Sequence, residues 1–397
     1  MRLSSFTTLA VLLASSVPAL STAVWGQCGG IGFTGSTTCD PGTTCTVLNP
    51  SPTTSSKPAT TSKPTTTSTT TYKPPISTTS SAAPPSGTGP GGTCPGRTKF
   101  KFFGVNESGA EFGSAIPGVL GKDYTWPSPS SIDYFVGQGF NAFRVPFMME
   151  RLSPSGLTGG FDATYLSGLM TIVNYITSKG AYAAIDPHNY MRYNGQIISS
   201  TSDFQTWWKN LAGQFSTNSH VIFDVMNEPN GIDATTVFNL NQAAVYGIRS
   251  SGATSQLILV EGTSWTGAWS WVSSGNGAVF GAIKDPNNNT AIQMHQYLDS
   301  DSSGTSPTCV SPTIGAERLA AATAWLQANN LKGFLGEIAA CISAVSGALC
   351  TMQQSGVWIG ATWWAAGPWW GTYFTSIEPP SGAAVSQILP QALMPYL

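Results

Sequence analysis

Glu228 closes an apolar run, Val221-Ile222-Phe223-Asp224-Val225-Met226-Asn227-Glu228-Pro229. Such a run reads as a buried strand, and Pro229 ends it because proline cannot donate to a central ladder. A carboxylate at the lip of a buried strand is costly unless it has partners. It is either a structural carboxylate tied to a nearby arginine or a group that handles protons. Glu337 closes a second run, Gly333-Phe334-Leu335-Gly336-Glu337. Two carboxylates on facing strands suit general acid and nucleophile work. His188, His295 and a carboxylate could bind zinc, but no His-x-His or His-Glu-x-x-His spacing supports a metal site. No Gly-x-Ser-x-Gly follows a strand, which removes the nucleophile-elbow hydrolases.

Something must hold these groups together. Strands are expected at Phe100–Glu107, Ala142–Phe147, Tyr182–His188, Val221–Glu228, Gln256–Glu261, Ala291–Tyr297, Gly333–Glu337 and Trp358–Ala365. Helices lie between them. Asp162 caps one, with Leu166, Leu169, Val173 and Ile176 at helical spacing and Gly180 as its stop. Asp233 opens another, with Val237, Leu240, Ala244 and Ile248 before Gly252. Eight strands alternating with helices predict an α/β fold, a (β/α)8 TIM barrel. A doubly wound sheet is the alternative, but no Gly-rich phosphate loop follows the first strand. In a barrel the chemistry sits at the C-terminal strand ends. There the chain places Asn106-Glu107, Arg144, Asp186-Pro187-His188-Asn189-Tyr190, Asn227-Glu228, Glu261, His295-Gln296-Tyr297, Glu337 and Trp363-Trp364.

Composition narrows the ligand. Charged residues make up 9% of the 397 residues and the formal net charge is -2, so no basic field exists for nucleic acid. With 43 Gly, 13 Trp and 12 Tyr, the chain suits a neutral, hydroxyl-rich ligand whose C–H faces stack on indole rings. No cofactor is expected. Residues 1–23 read as a secretory signal, with Arg2, the short apolar run Leu9–Ala14 and small residues up to Ala23; the run is too short to span a membrane. The mature protein is therefore expected outside the cell, as a monomer. Its seven cysteines leave at least one unpaired or paired between chains, and Cys94 is a candidate.

Residues 24–50 hold Trp25-Gly26-Gln27-Cys28-Gly29-Gly30-Ile31-Gly32, then Cys39, Cys45 and Val47-Leu48-Asn49-Pro50. This cluster resembles the small fungal cellulose-binding module, family one of the carbohydrate-binding modules. The resemblance implies cellulose contacts at Trp25, Gln27 and Asn49 and a Cys28–Cys45 disulfide. The family continues past Asn-Pro with two aromatics and a fourth cysteine. Here Ser51-Pro52-Thr53-Thr54 follows, so Cys39 lacks its partner and two of three stacking rings are missing. Where stacking of this kind has been measured on bases, each ring is worth roughly 1–3 kcal/mol. A truncated module with weak or no cellulose binding is expected. Residues 51–93 are almost wholly Ser, Thr and Pro, with Gly at the end, and read as a disordered, O-glycosylated linker. The barrel domain is expected over 94–397.

From about residue 98 onward the chain is similar to the fungal endo-β-1,4-glucanases of glycoside hydrolase family five. The resemblance is carried by Phe103-Gly104-Val105-Asn106-Glu107, Phe143-Arg144-Val145, Asp186-Pro187-His188-Asn189-Tyr190, Asn227-Glu228-Pro229, Met294-His295-Gln296-Tyr297, Gly336-Glu337 and Trp363-Trp364-Ala365-Ala366-Gly367. It implies a retaining enzyme acting on cellulose and soluble β-1,4-glucan chains. Glu337 would be the nucleophile and Glu228 the acid/base. Asn227 would hold the sugar 2-hydroxyl, and Arg144 would keep Glu337 ionised. Tyr297 would hydrogen-bond Glu337, and His295 would line the cleft near Glu228. His188 would contact the sugar and Trp364 would be its platform. A β-mannanase or xylanase on the same barrel, or a non-catalytic cell-wall binder, are the rival readings.

Glu107, Glu111 and Glu261 read as structural or supporting. Trp265, Trp269, Trp271, Trp369 and Trp370 are either packing residues or outer sugar sites. Cys309 and Cys341 are expected to pair, with Cys350 as a competing partner. One departure from the family stands beside the nucleophile. Ile338-Ala339-Ala340-Cys341 is shorter than the loop the resemblance implies, and a displacement of about 1 Å at Glu337 would cost about two decades in rate.

Overall fold

A computed structural model describes residues 94–397, together with the backbone of three short strands nearer the N-terminus. Those strands, Gln27–Gly29, Thr44–Val47 and Thr53–Ser56, form an antiparallel sheet with Thr53–Ser56 in the middle. Thr53–Ser56 falls within the stretch expected to be linker. Its threonines are β-branched and suit a strand. The side chains of Trp25, Gln27, Cys28, Cys45 and Asn49, the signal segment and the rest of the linker lie outside the described residues.

The second unit is a closed barrel of eight parallel strands, as the alternation of runs predicts. They are β1 (Phe102–Glu107), β2 (Ala142–Phe147), β3 (Tyr182–Pro187), β4 (Val221–Asp224), β5 (Leu257–Glu261), β6 (Thr290–Tyr297), β7 (Gly333–Ala339) and β8 (Trp358–Ala366). Each pairs with the next in sequence, and β8 returns to β1. The helices that cover it include α1 (Pro129–Gln138), α2 (Ala163–Ser178), α3 (Thr201–Gly213), α4 (Ala234–Ser250), α5 (Ile314–Ala328) and α6 (Ile342–Ser355). Asp162 and Asp233 accept from backbone N–H groups at the starts of α2 and α4, as expected of N-caps. The strand expected to run to Glu228 stops at Asp224. Pairing ends there, and Glu228 itself sits at φ +46°, a left-handed turn that no strand accommodates.

The period of two along each strand sorts the barrel interior into a dry floor and a polar roof. Phe102, Ala142, Ala184, Ile222, Leu257, Leu259, Ala291 and Phe334 pack together as the floor. Two residues further along come Gly104, Arg144, Asp186, Asp224, Glu261, Gln293 and Gly336. A Cβ on Gly104 would run into the Ala142 carbonyl, and one on Gly336 would collide with the Gln293 side chain. Glycine at these places lets the polar layer pack.

Among the described residues, two disulfides fasten the periphery of the barrel. Cys309–Cys341 links the loop after β6 to the start of α6, as expected. Cys94 pairs with Cys350, so Cys94 is not the odd thiol and Cys350 does not compete for Cys341. Nothing in the local spacing ties two residues 256 apart; the barrel brings them together.

Candidate active site

Arg144 projects from β2 into the roof of the barrel and is fully buried. Its Nε donates to Asp224 Oδ2 at 2.7 Å, and its Nη1 donates to Glu337 Oε1 at 2.8 Å. Its Nη2 donates to Asn227 Oδ1 at 2.8 Å and stands 3.0 Å from Asp186 Oδ2. The fork geometry of a guanidinium meets all of these at once; an ammonium would not. Asp186, Asp224, Glu261 and Glu337 therefore share one cation. Burial, countered by Arg144, pushes Asp186 up to about 7 and Asp224 up to about 6.

Glu337 reaches the mouth through an irregularity in β7. The pairing register runs Met294 to Leu335 and then His295 to Glu337, so β7 carries one extra residue there. Such a bulge re-aims a side chain. The Gly336 carbonyl inside it accepts from Asn106 Nδ2 and Thr362 Oγ1. Tyr297, from the end of β6, donates its hydroxyl to Glu337 Oε2 at 2.5 Å. The short segment behind Glu337 continues β7 to Ala339, and Glu337 keeps both partners.

Glu228 approaches from β4's side. His295 Nδ1 lies 2.8 Å from Glu228 Oε1 and 3.6 Å from Glu337 Oε2. Glu228, His295 and Glu337 each place one ligating atom within 4.8 Å of the other two. That spacing could bridge a cation, but Arg144 and Tyr297 already occupy the oxygens of Glu337. Burial and the nearby Glu337 hold Glu228 well above the ordinary carboxylate range. Burial raises Glu337 as well, but Arg144, His188 and Tyr297 oppose it, so Glu337 ionises before Glu228. This separation gives one acid and one carboxylate at the same pH.

His188 Nδ1 is 2.8 Å from Asp186 Oδ2, and its Nε2 faces Asn227 Nδ2 at 3.2 Å. Asn227 is thereby oriented, with Oδ1 on Arg144 and Nδ2 on His188. The His188 ring stacks on Trp364 at 5.5 Å between centroids and 19° between planes. Trp370 stands edge-on to Trp364. His188 and Trp364, with Glu228, His295, Tyr297 and Glu337, line a cleft of about 1040 Å³ that also takes in Tyr190, Trp265, Trp269 and Asp301.

The eight residues expected to act on or hold the sugar, Arg144, His188, Asn227, Glu228, His295, Tyr297, Glu337 and Trp364, thus come together at one site, whereas not every strand-end residue does. Among the loop tryptophans, Trp265 and Trp269 are exposed and line the cleft, whereas Trp271 is buried packing. Glu107 points away from the cleft, to Ser131, and Glu111 accepts from Ser108 and Gly109. Asp224 and Gln293 were missed as site residues. Their signal is the strand period, since each lies two places beyond a floor residue, Ile222 and Ala291, on the inward face.

Comparison with known proteins agrees with this geometry. Residues 98–367 match the cellulase family, glycosyl hydrolase family 5, and residues 24–51 match the fungal cellulose binding domain. Endoglucanase gh5-1 of Neurospora crassa is 50% identical over 389 residues, covering 94% of this chain and 96% of that protein. Endo-beta-1,4-glucanase B of Aspergillus niger is 57% identical over 296 residues, 73% of this chain and 88% of its own length. The endo-beta-1,4-glucanase Xac0029 of Xanthomonas axonopodis pv. citri has a solved structure that superposes with a TM-score of 0.71 at 40% identity, over 75% of this chain and 98% of that one. A barrel with two carboxyls poised in its mouth, matched by a family model over most of the described unit, belongs to the cellulase family, glycosyl hydrolase family 5.

Proposed function

We propose that this chain is a secreted endo-β-1,4-glucanase that cleaves internal bonds of cellulose and related β-glucans with retention of anomeric configuration. The observation that carries the mechanism is the approach of Glu228 and Glu337, whose nearest oxygens lie within 4.8 Å. Retaining glycosidases hold their carboxyls about 5–5.5 Å apart, whereas inverting ones leave about 6.5–9.5 Å for a water. The glucanase relatives support the substrate class.

In the first step Glu337 attacks the anomeric carbon while Glu228 protonates the departing oxygen. Arg144 and Tyr297 keep Glu337 charged and aimed. Asn227 has a second Nδ2 hydrogen free for the sugar 2-hydroxyl, and Trp364, backed by His188, carries the ring. In the second step Glu228, now a carboxylate, takes a proton from water, and the water displaces Glu337. The cleft lies at the upper end of the range of about 300–1,000 Å³ for small-molecule pockets, which suits several sugar rings rather than one.

The test is reducing-sugar release from carboxymethylcellulose, mannan and xylan side by side, with NMR of the first product. Release from carboxymethylcellulose with β product appearing first is expected. α product first would overturn retention, a preference for mannan or xylan would overturn the substrate, and silence on all three would favour a non-catalytic binder. Secretion is proposed from the N-terminal segment alone. The small module is proposed to add little to cellulose binding; the full chain should bind crystalline cellulose no more than about tenfold tighter than residues 94–397, since two stacking rings are missing.

A further inference from the structure

Glu261 ends β5 directly beneath the reacting carboxyls and is fully buried, yet no step above uses it. It meets Glu228 twice. Its Oε2 accepts from the Glu228 backbone N–H at 2.7 Å. Its Oε1 lies 3.5 Å from Nε2 of His295, whose other ring nitrogen is the one on Glu228. That Nε2 is buried and has no hydrogen-bond partner, with Glu261 Oε1 its near neighbour.

Both contacts bear on the acid/base. A glutamate at φ +46° is in a conformation that costs of order 1–3 kcal/mol unless its surroundings enforce it. The bond from its N–H to Glu261 helps enforce it. The imidazole matters for the proton. A neutral histidine carries one N–H and one acceptor nitrogen. With hydrogen on Nδ1, His295 donates to Glu228 Oε1, and the acidic proton of Glu228 resides on Oε2. With hydrogen on Nε2, Nδ1 becomes an acceptor and draws that proton onto Oε1, where substrate cannot use it.

The surroundings decide which arrangement holds. Glu261 faces Arg144 from β2, Asp186 from β3, Asp224 from β4, Glu228 from the turn after it, Gln293 and His295 from β6, and through Arg144 it shares charge with Glu337 from β7. Among these, Arg144 is the one permanent cation, set against five carboxyls. They cannot all be ionised, and Glu261 is among the most enclosed. We propose that Glu261 is a positioning residue for the acid/base: as a neutral acid it donates to His295 Nε2, fixes the Nδ1–H tautomer, and leaves the transferable proton of Glu228 on Oε2. Burial and Asp224 raise the Glu261 pKa and burial lowers that of His295, in keeping with a neutral pair.

The proposal rests on Glu228 being the acid/base. Glu261→Gln mimics a neutral acid, and Glu261→Leu removes both contacts. On cellotetraose, the Gln variant should keep activity within about tenfold and the Leu variant should lose about 100-fold or more, the range of one general acid–base contribution. On dinitrophenyl cellobioside, whose leaving group needs no proton, the Leu variant's kcat/KM should fall less than about tenfold. Azide, which attacks without a base, should raise its turnover. Equal damage from Gln and Leu, or equal damage on both substrates, would overturn the proposal. If the Leu variant does not fold by circular dichroism, nitrogen NMR of the wild-type histidines decides: His295 must be protonated at Nδ1 and bare at Nε2, and the opposite tautomer overturns it. Glu228→Ala is the reference. If it shows no leaving-group split, the acid/base assignment fails; if it does and Glu261→Leu does not, only the role of Glu261 fails.

Discussion

Arg144 and Glu337 meet across the barrel mouth at 2.8 Å, and the same guanidinium spans Asp224, Asn227 and Asp186. One cation thus orients the nucleophile and the residue next to the acid/base. Arg144→Lys keeps the charge but cannot reach every partner. Without the full contact Glu337 loses the group that holds its pKa down. The acid limb of kcat/KM should move to higher pH and kcat should fall by about 100-fold, comparable to losing one preorganised donor. An unchanged pH profile would detach Arg144 from the nucleophile.

Glu107 supplies a pH dependence of stability that is separate from catalysis. Ser131 Oγ lies 3.0 Å from Glu107 Oε1 and 2.9 Å from Glu378 Oε2, and one hydroxyl hydrogen cannot serve both. Gly367 N–H also donates to Glu378 Oε2, which favours the charge on Glu378 and the proton on Glu107, although burial raises both. Burial and Glu378 hold the Glu107 pKa well above its unfolded value. A raised folded pKa favours the folded state below the ordinary carboxylate range, and that stability is lost as pH climbs through the folded pKa. Glu107→Gln should therefore be neutral near pH 4 and stabilise at neutral pH by about 1 kcal/mol or more. Calorimetry should show a Tm gain of about 2 °C. Destabilisation at both pH values would refute the protonated pair.

The Cys94–Cys350 bridge joins the start of the barrel unit to α6. Thr98 N–H donates to the Gln353 carbonyl and Gln354 to that of Pro95, so the same seam is also hydrogen-bonded. Cys350→Ser should lower stability by about 2–5 kcal/mol, the usual loss for a native disulfide. Turnover at 25 °C should stay unchanged, because the bridge is remote from the mouth. A loss of kcat without loss of Tm would contradict this.

Two Asn-x-Ser/Thr sequences occur at Asn106-Glu107-Ser108 and Asn288-Asn289-Thr290. Asn106 is buried with its amide on the Gly336 and Trp363 carbonyls, whereas Asn288 sits in an exposed turn. In protein secreted from a fungal host, glycosidase treatment should remove a glycan that Asn288→Gln also abolishes. Any glycan at Asn106 would contradict its burial.

Much of this was legible in the chain because β-branched runs and their C-terminal polar residues carry their own signal. All eight strands were expected, with ends within one or two residues, except β4. There the apolar pattern continues through Val225 and Met226, but the backbone turns left-handed at Glu228, and hydropathy says nothing about φ. The mouth residues were found because they stand at strand ends. Asp224, Gln293 and the part played by Glu261 were not, because their importance comes from one shared arginine, which only the closed barrel reveals. The Cys94 pairing was hidden for the same reason.

The extra residue in β7 has a consequence for how this enzyme can vary. Phe334 and Gly336 face inward by ordinary alternation, and Glu337 joins them only because the bulge breaks it. Side-chain swaps at Leu335 or Ile338 alter packing and leave the arithmetic intact. Removing Gly336, the one residue between Leu335 and Glu337, restores the regular ladder and takes away the carbonyl that accepts from Asn106 and Thr362. The segment can therefore drift in composition but not in length, and its residue count is as much a part of the catalytic apparatus as the glutamate it delivers.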